Sequence, residues 1–322
     1  MAARRFCRSF GVFQQHSAAT RLTWSRFYGR TDAEPLTLRQ QSDGVRRIVL
    51  NNPRRRNALS LSMLESLREN ILADVDKPDL RVIVLSARGP VFSSGHDLAE
   101  LTSSQGRDYH TQVFHTCAEV SLRKNEQKQR KVELEKAGSG AALSQLCLAL
   151  QVMTLLQDIP VPVIAMVDGV ATAAGCQLVA SCDVAVATEK STFATPGVNV
   201  GLFCSTPAVA IGRAVPRKVA MEMLLTGSPI SAQEALLHGL ISRVVPEGRL
   251  EEETLAIARR VCRSSRPVVA LGKATFYRQM AQGRDAAYAT ASRVMVENLA
   301  LPDGQEGIRA FLEKRRPAWS HA

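Results

Sequence analysis

Residues 167–188 read VDGVATAAGCQLVASCDVAVAT. The apolar run Val161–Val167 before it (VPVIAMV) is β-branched and too short for a helix, so it reads as a buried strand. Asp168 and Gly169 begin a turn, and the small residues Ala173, Ala174 and Gly175 feed a helix expected to open near Gly175 or Cys176. Asp183–Thr188 (DVAVAT) is then a second strand. A tight strand-to-helix turn of small residues lets a ligand approach backbone amides, and a helix N-terminus favours negative charge there. The first side chain of chemical note on that helix is Gln177, which hydrogen-bonds but does not exchange a proton near neutral pH.

The same α/β grammar extends both ways. Val45–Asn51 reads as a strand, and Ser60 or Ser62 caps a helix whose Leu64, Leu67, Ile71 and Leu72 share one face. Leu80–Ser86 is a further buried strand, and VFSSGHDLAEL is a strand end turning into a helix capped by Asp97. FATPGVNVGLFCSTP is a long irregular connection, and Ser231 with Glu234 forms a capping box. Residues 251–316 read as two or three amphipathic helices.

Composition narrows the function classes. Of the formal charge of +11, six units come from Arg4, Arg5, Arg8, Arg21, Arg26 and Arg30, in a leader with no acid before Asp32. Such an Arg-rich, Ser-rich, acid-free segment is expected to be a mitochondrial presequence over residues 1–31, directing the chain to the matrix. The remaining charge is ordinary. Arg123–Lys136 carries six bases and three acids, and is read as a solvated charged segment before a Gly138-Ser139-Gly140 linker. No aromatics interleave those bases, which argues against a nucleic-acid arm. Seven scattered cysteines without a Cys-x-x-Cys pair suit a reducing compartment, and no cluster has metal-ligand spacing, so no metal is expected. The apolar runs are too short for a membrane span.

Four ordered blocks carry a family resemblance: VFSSGHDL (91–98), IPVPVIAMVDGVATAAGCQLVASCDVAVAT (159–188), TFATPGVNVGL (192–202) and LLTGSPISAQEALLHGL (224–240). Together they resemble the crotonase (enoyl-CoA hydratase/isomerase) superfamily, from roughly Gly44 to Trp319, interrupted by the charged insert at about 121–151. The resemblance implies an α/β fold, a crotonase-like spiral of ββα units with a C-terminal helical trimerisation region. The expected organisation is a presequence over 1–31, a core over 32–250 and a C-terminal helical region over 251–322. It also implies a homotrimer or hexamer, an acyl-CoA thioester as ligand, and no cofactor beyond that coenzyme A.

Carried over by position, the resemblance makes the backbone N–H groups of His96 and Ala174 an oxyanion hole. Donors of this kind are worth about 3–4 kcal/mol each in well-studied cases. Asp97, Leu98 and Gly175 flank the thioester. Arg54, Arg55 and Arg56 are candidates for coenzyme A phosphates, Ala58 and Leu59 for the adenine side, and Lys273 for a phosphate. The family's two hydratase glutamates fall at Gln177 and Gly197, so neither carboxylate is present, and Gly197 is expected to leave room for a bulkier acyl group or a water. A positioned acid or base contributes about 10²- to 10⁴-fold, so efficient two-glutamate hydration is not expected. Cys204 is the only group in the following connection that can become an anion near neutral pH, if its pKa is lowered. Two readings follow: an acyl-CoA enzyme of fatty-acid metabolism using a different base, or a non-catalytic acyl-CoA binder that regulates or assembles with related subunits. An RNA-binding homologue would rest on the charged insert alone.

Overall fold

The computed structural model describes residues 34–118 and 152–321. The unit Pro35–Ala322 carries the fold. The expected presequence and the charged insert both lie outside the described residues.

The sheet begins earlier than the sequence suggested. Strand β1 (Thr37–Ser42) pairs antiparallel with β2 (Val45–Leu50). Its burial pattern is exposed over most of its length, so hydrophobicity gave no signal for it. From β2 the sheet is parallel, through β3 (Val82–Ala87), β5 (Val163–Val167), β7 (Val184–Thr188) and β10 (Arg243–Val245). A second sheet of short strands runs alongside, in the order β4 (Val91–Ser93), β6 (Val170–Thr172), β8 (Thr192–Ala194) and β9 (Ile230–Ser231). Each turn of the chain therefore lays one strand in the long sheet and one in the short sheet, then enters a helix. That is the expected spiral of ββα units.

Parallel strands are buried on both faces, which is why they read as unbroken apolar runs. One face packs a large core in which Ile48, Leu50, Ile83 and Leu85 meet Met63, Leu64, Leu67 and Ile71 of helix α1 (Leu61–Leu72). Ser60 is the cap of α1, accepting from the Met63 amide at 3.2 Å. Further helices follow as α2 (Gly106–Ala118), α3 (Val152–Asp158), α4 (Ala174–Ser181), α5 (Ser205–Ala214), α6 (Arg217–Thr226) and α7 (Ala232–Leu237). Ser231 and Glu234 form the expected capping box at α7. The segment after Asp97 is a short 3-10 turn, Leu98–Leu101, capped by the Asp97 carboxylate through the Ala99 amide.

The C-terminal part holds four helices among the described residues, where two or three were expected: α8 (Leu250–Cys262), α9 (Arg266–Met280), α10 (Arg284–Ala300) and α11 (Pro302–Leu312). Helix α8 covers the other face of the sheet, where Leu250 and Ala258 pack with Val82, Val84, Ile164 and Val186. It therefore completes the core, whereas α9 to α11 leave Phe276, Met280, Tyr288, Val296, Phe311 and Leu312 exposed. No helix among the described residues is long and apolar enough to cross a membrane.

Asp303 anchors the end of the chain. It is 2% exposed and accepts from the Ser320 amide and hydroxyl, both at 2.7 Å, and from the His321 amide at 3.2 Å. The Ser265, Ser320 and His321 hydrogen bonds outweigh burial and hold its pKa at about 2, below the usual 3.8. A carboxylate depressed in the fold contributes stability above its unfolded pKa and loses it as pH falls through the folded one. Stability should therefore decline between about pH 4 and pH 2, and Asp303→Asn should flatten that part of the curve, as read by thermal melts across the window.

Candidate functional site

Three backbone segments converge at the N-terminus of α4. The first is the loop Asn52–Leu59. Asn57 is fully buried, and its side chain ties this loop to the next segment by donating to Arg88 O at 2.9 Å and Val91 O at 2.8 Å. Its Oδ1 accepts from the Asn52 amide at 2.8 Å, while Ser93 Oγ donates to Asn57 O. The second is the turn 94–97, joined to the loop by Ser94 N to Arg56 O and Leu59 N to Gly95 O at 2.7 Å. The third is the turn 172–175.

The second and third segments meet where Gly95 and Gly175 carry no side chain. Gly95 has φ +87°, and a Cβ there would lie 2.7 Å from Ala173 Cβ and 3.1 Å from Ala174 N. A Cβ on Gly175 would lie 2.4 Å from Ser93 O. Both positions therefore require glycine, and the His96 step is held beside the first amide of α4. That amide belongs to a helical first turn, where the helix itself supplies no acceptor. Ala173 stands before it at φ 50°, ψ −120°, backbone space that a side chain rarely enters. Such a residue costs about 1–3 kcal/mol, and strain of this kind clusters at functional sites.

The His96 imidazole turns toward the loop, with Nδ1 3.3 Å from Leu59 O. Burial pushes its pKa down, so the ring is neutral near pH 7. Asp97 caps the 3-10 turn and reaches Arg55 at 3.4 Å. Arg54, Arg55 and Arg56 are exposed, and Arg54 and Arg56 have no ion-pair partner among the described residues. Ala58 is buried beside them and Leu98 is 54% exposed.

Lys273 is a correction. Its ammonium is buried with a side-chain exposure of 6%, and donates to Leu156 O, Val161 O and the Asp183 carboxylate at 2.6, 2.9 and 2.7 Å. All three protons are committed to α3, the following turn and β7, so it is not available to a phosphate. Asp183 is structural: it also accepts from the Val163 amide and the Tyr277 hydroxyl, each at 2.7 Å.

Gly197 is the second correction. A Cβ there would lie 2.7 Å from Cys204 Sγ and 2.6 Å from Leu202 O, so the connection after it already fills the space expected to be free. The Cys204 thiol is 8% exposed, and burial pushes its pKa up despite a backbone hydrogen bond from Gly197. It is a packing thiol rather than a ready base. Cys176 behaves alike, pushed to about 12 by burial.

Gln177 is 3% exposed on a helix whose residues are nearly all buried, and its Oε1 has no hydrogen-bond partner among the described residues. It lines a cleft of 1140 Å³ between α3, α4, α5, α9 and α10, together with Thr206, Val209, Tyr277 and the arginines 213, 278 and 293. Asn57 and Tyr277 were not anticipated. Tyr277 sits four residues after Lys273, a spacing that puts both on one face of α9 and that would have flagged it. Asn57 serves carbonyls far along the chain, for which local sequence holds no signal.

This arrangement has close counterparts. Residues 40–124 and 133–322 match the family model for enoyl-CoA hydratase/isomerase. Enoyl-CoA hydratase domain-containing protein 3, mitochondrial, of Danio rerio is 66% identical over 290 residues, covering 90% of this chain and 89% of its own. The crystal structure of human enoyl coenzyme A hydratase domain-containing protein 3 matches with a TM-score of 0.77 at 60% identity, over 88% of this chain and 100% of its own. That of an enoyl-CoA hydratase of Mycobacterium smegmatis gives 0.75 at 42% identity, over 89% and 99%.

The strain at Ala173 is testable. Ala173→Gly should raise stability by about 1 kcal/mol, relief of strain outweighing the entropy that glycine adds to the unfolded chain. The thermal midpoint should rise by about 2–4 °C. A fall would mean that packing of the Ala173 methyl outweighs its backbone.

Proposed function

The chain belongs to the enoyl-CoA hydratase/isomerase family, and from that premise we propose that it binds acyl-CoA thioesters and polarises their carbonyl with the backbone N–H groups of His96 and Ala174. The observation that carries this is the close approach of Gly95 to Ala173 and Ala174. It supports two turns near enough for one oxygen to be shared between them. The dipole of α4 adds to the attraction for an oxygen developing negative charge. Arg54 and Arg56 are the cations offered to the coenzyme A phosphates. The coenzyme A is part of the ligand, and no separate cofactor is invoked.

Two-carboxylate hydration is not part of the proposal. Gln177 stays neutral and Gly197 has no side chain. Hydration needs an acid and a base on one water, each contributing about 10²- to 10⁴-fold. Cys204, raised by burial, does not substitute. If the protein is catalytic in fatty-acid metabolism, the polarised thioester serves a reaction that takes its base elsewhere. A second reading, a non-catalytic acyl-CoA-binding subunit that regulates or assembles with relatives, is favoured by one observation: the Cys204 sulfur and Leu202 carbonyl occupy the place of any side chain at 197.

The Arg-rich leader over 1–31 supports delivery to the mitochondrial matrix, as do relatives whose names carry the word mitochondrial. The exposed apolar side chains of α9 to α11 support a trimer or hexamer.

Calorimetric titration with butyryl-CoA and crotonyl-CoA, with infrared difference spectra of the carbonyl-labelled thioester, tests the reading. Binding should be accompanied by a shift of the thioester C=O stretch to lower frequency. Binding without that shift would remove the oxyanion role and leave only a binder. Mass spectrometry of the same mixtures should find no rapid hydration, and absence of binding would refute the acyl-CoA reading itself. In isolated mitochondria, the mature chain should begin near residues 29–32.

A further inference from the structure

The cleft has two ends of different chemistry. Helix α5 walls it with Thr206, Val209, Ala210 and Arg213, the i, i+3, i+4 and i+7 positions of one helical face. This helix starts at Cys204, whose sulfur packs against Gly197, and the segment before Gly197 is tied to the Ala173 turn by Ala173 N to Ala194 O at 2.9 Å. Thr206 therefore stands at the end near the Ala174 amide, and Arg213 about 10 Å farther along the axis. Two more arginines arrive at that far end. Tyr277 is bonded to Asp183, which directly follows the Cys182 cap of α4, so Arg278 beside it lies at the end of α4 away from Ala174. The Thr290 hydroxyl donates to Gln282 Oε1 at 3.0 Å just beyond α9, which brings Arg293, one turn along α10, to the same place. Arg213 Nη1 donates to Val209 O at 3.0 Å, while Arg278 and Arg293 have no hydrogen-bond or ion-pair partner among the described residues. Among the described residues of the lining the one carboxylate is Asp158, whose charge acts on the buried Lys273 ammonium. Three helices thus bring an excess of positive charge to one end of the cleft.

Resting on the acyl-CoA reading above, we propose that this far end is a carboxylate subsite, where Arg213, Arg278 and Arg293 take the terminal carboxylate of an acyl thioester whose chain ends in an acid. The length fits. A thioester oxygen held at the Ala174 amide leaves about 10 Å of helix to run before the arginines, roughly the extent of an eight-carbon chain. The planar guanidinium forks match a carboxylate at two points each, a geometry that a methyl end cannot use. A methyl-ended chain of the same length would bring its apolar end among three charges. Because the three arginines are exposed, the attraction is screened by salt, and selectivity should weaken as ionic strength rises.

The test compares octanedioyl-CoA with octanoyl-CoA by calorimetry on the full chain. The two share coenzyme A, thioester and chain length, and differ only in the terminal group. At low ionic strength octanedioyl-CoA should bind roughly tenfold tighter, and the difference should shrink at about 0.5 M salt. The double variant Arg278→Gln, Arg293→Gln should bring the ratio near one. If that variant does not fold, as judged by circular dichroism, Arg293→Gln alone decides: a reduced ratio supports the subsite and an unchanged one overturns it. Equal affinities in the wild type, or a preference that survives the double variant, would overturn the subsite while leaving acyl-CoA binding intact. Equal weakening of both thioesters in the double variant would assign the arginines to the coenzyme A phosphates and overturn it as well. If neither thioester binds, the subsite and the acyl-CoA reading fall together.

Discussion

The contact between the 93–97 turn and the first residues of α4 is the constraint on which the rest of the site depends. Two glycines make it: Gly95, at a positive φ and against Ala173, and Gly175, against the Ser93 carbonyl. A side chain at either place would meet these atoms at 2.7 or 2.4 Å and force the turns apart. The loop behind is fixed by Asn57, which holds Asn52, Arg88 and Val91 with one side chain. Preorganisation here is therefore a property of backbone packing, and the chemistry of individual side chains enters only afterwards.

That order explains what the sequence disclosed. Strands buried on both faces, such as Val163–Val167, announce themselves by composition, and caps such as Ser60 and Ser231 by residue type. The glycine-bearing turns were legible because the conformations they need are restricted. Strand β1 was not, because four of its six residues are exposed and its place is set by pairing with β2. The roles of Lys273 and Gly197 were misjudged for a related reason: both are decided by what arrives from distant chain. Asp183 reaches Lys273 across 90 residues, and the Cys204 sulfur folds back over Gly197.

Cys176 and Cys204, both raised by burial, behave as small apolar fillers behind the turn. Gln177 lines the cleft, and its buried Oε1 has no partner among the described residues. A neutral amide is far cheaper to bury than a charge.

The Asp183 cluster has a mechanical consequence for the same cleft. Lys273 and Tyr277, on α9, are both fastened to a carboxylate at the head of β7, while Tyr277 also forms part of the cleft wall. Separating α9 from the sheet would strand a buried charge, which typically costs 3–5 kcal/mol. On this side the cleft is thus a slot of fixed gauge rather than a jaw. A ligand entering it would meet a width already set, and little binding energy would go into moving this wall.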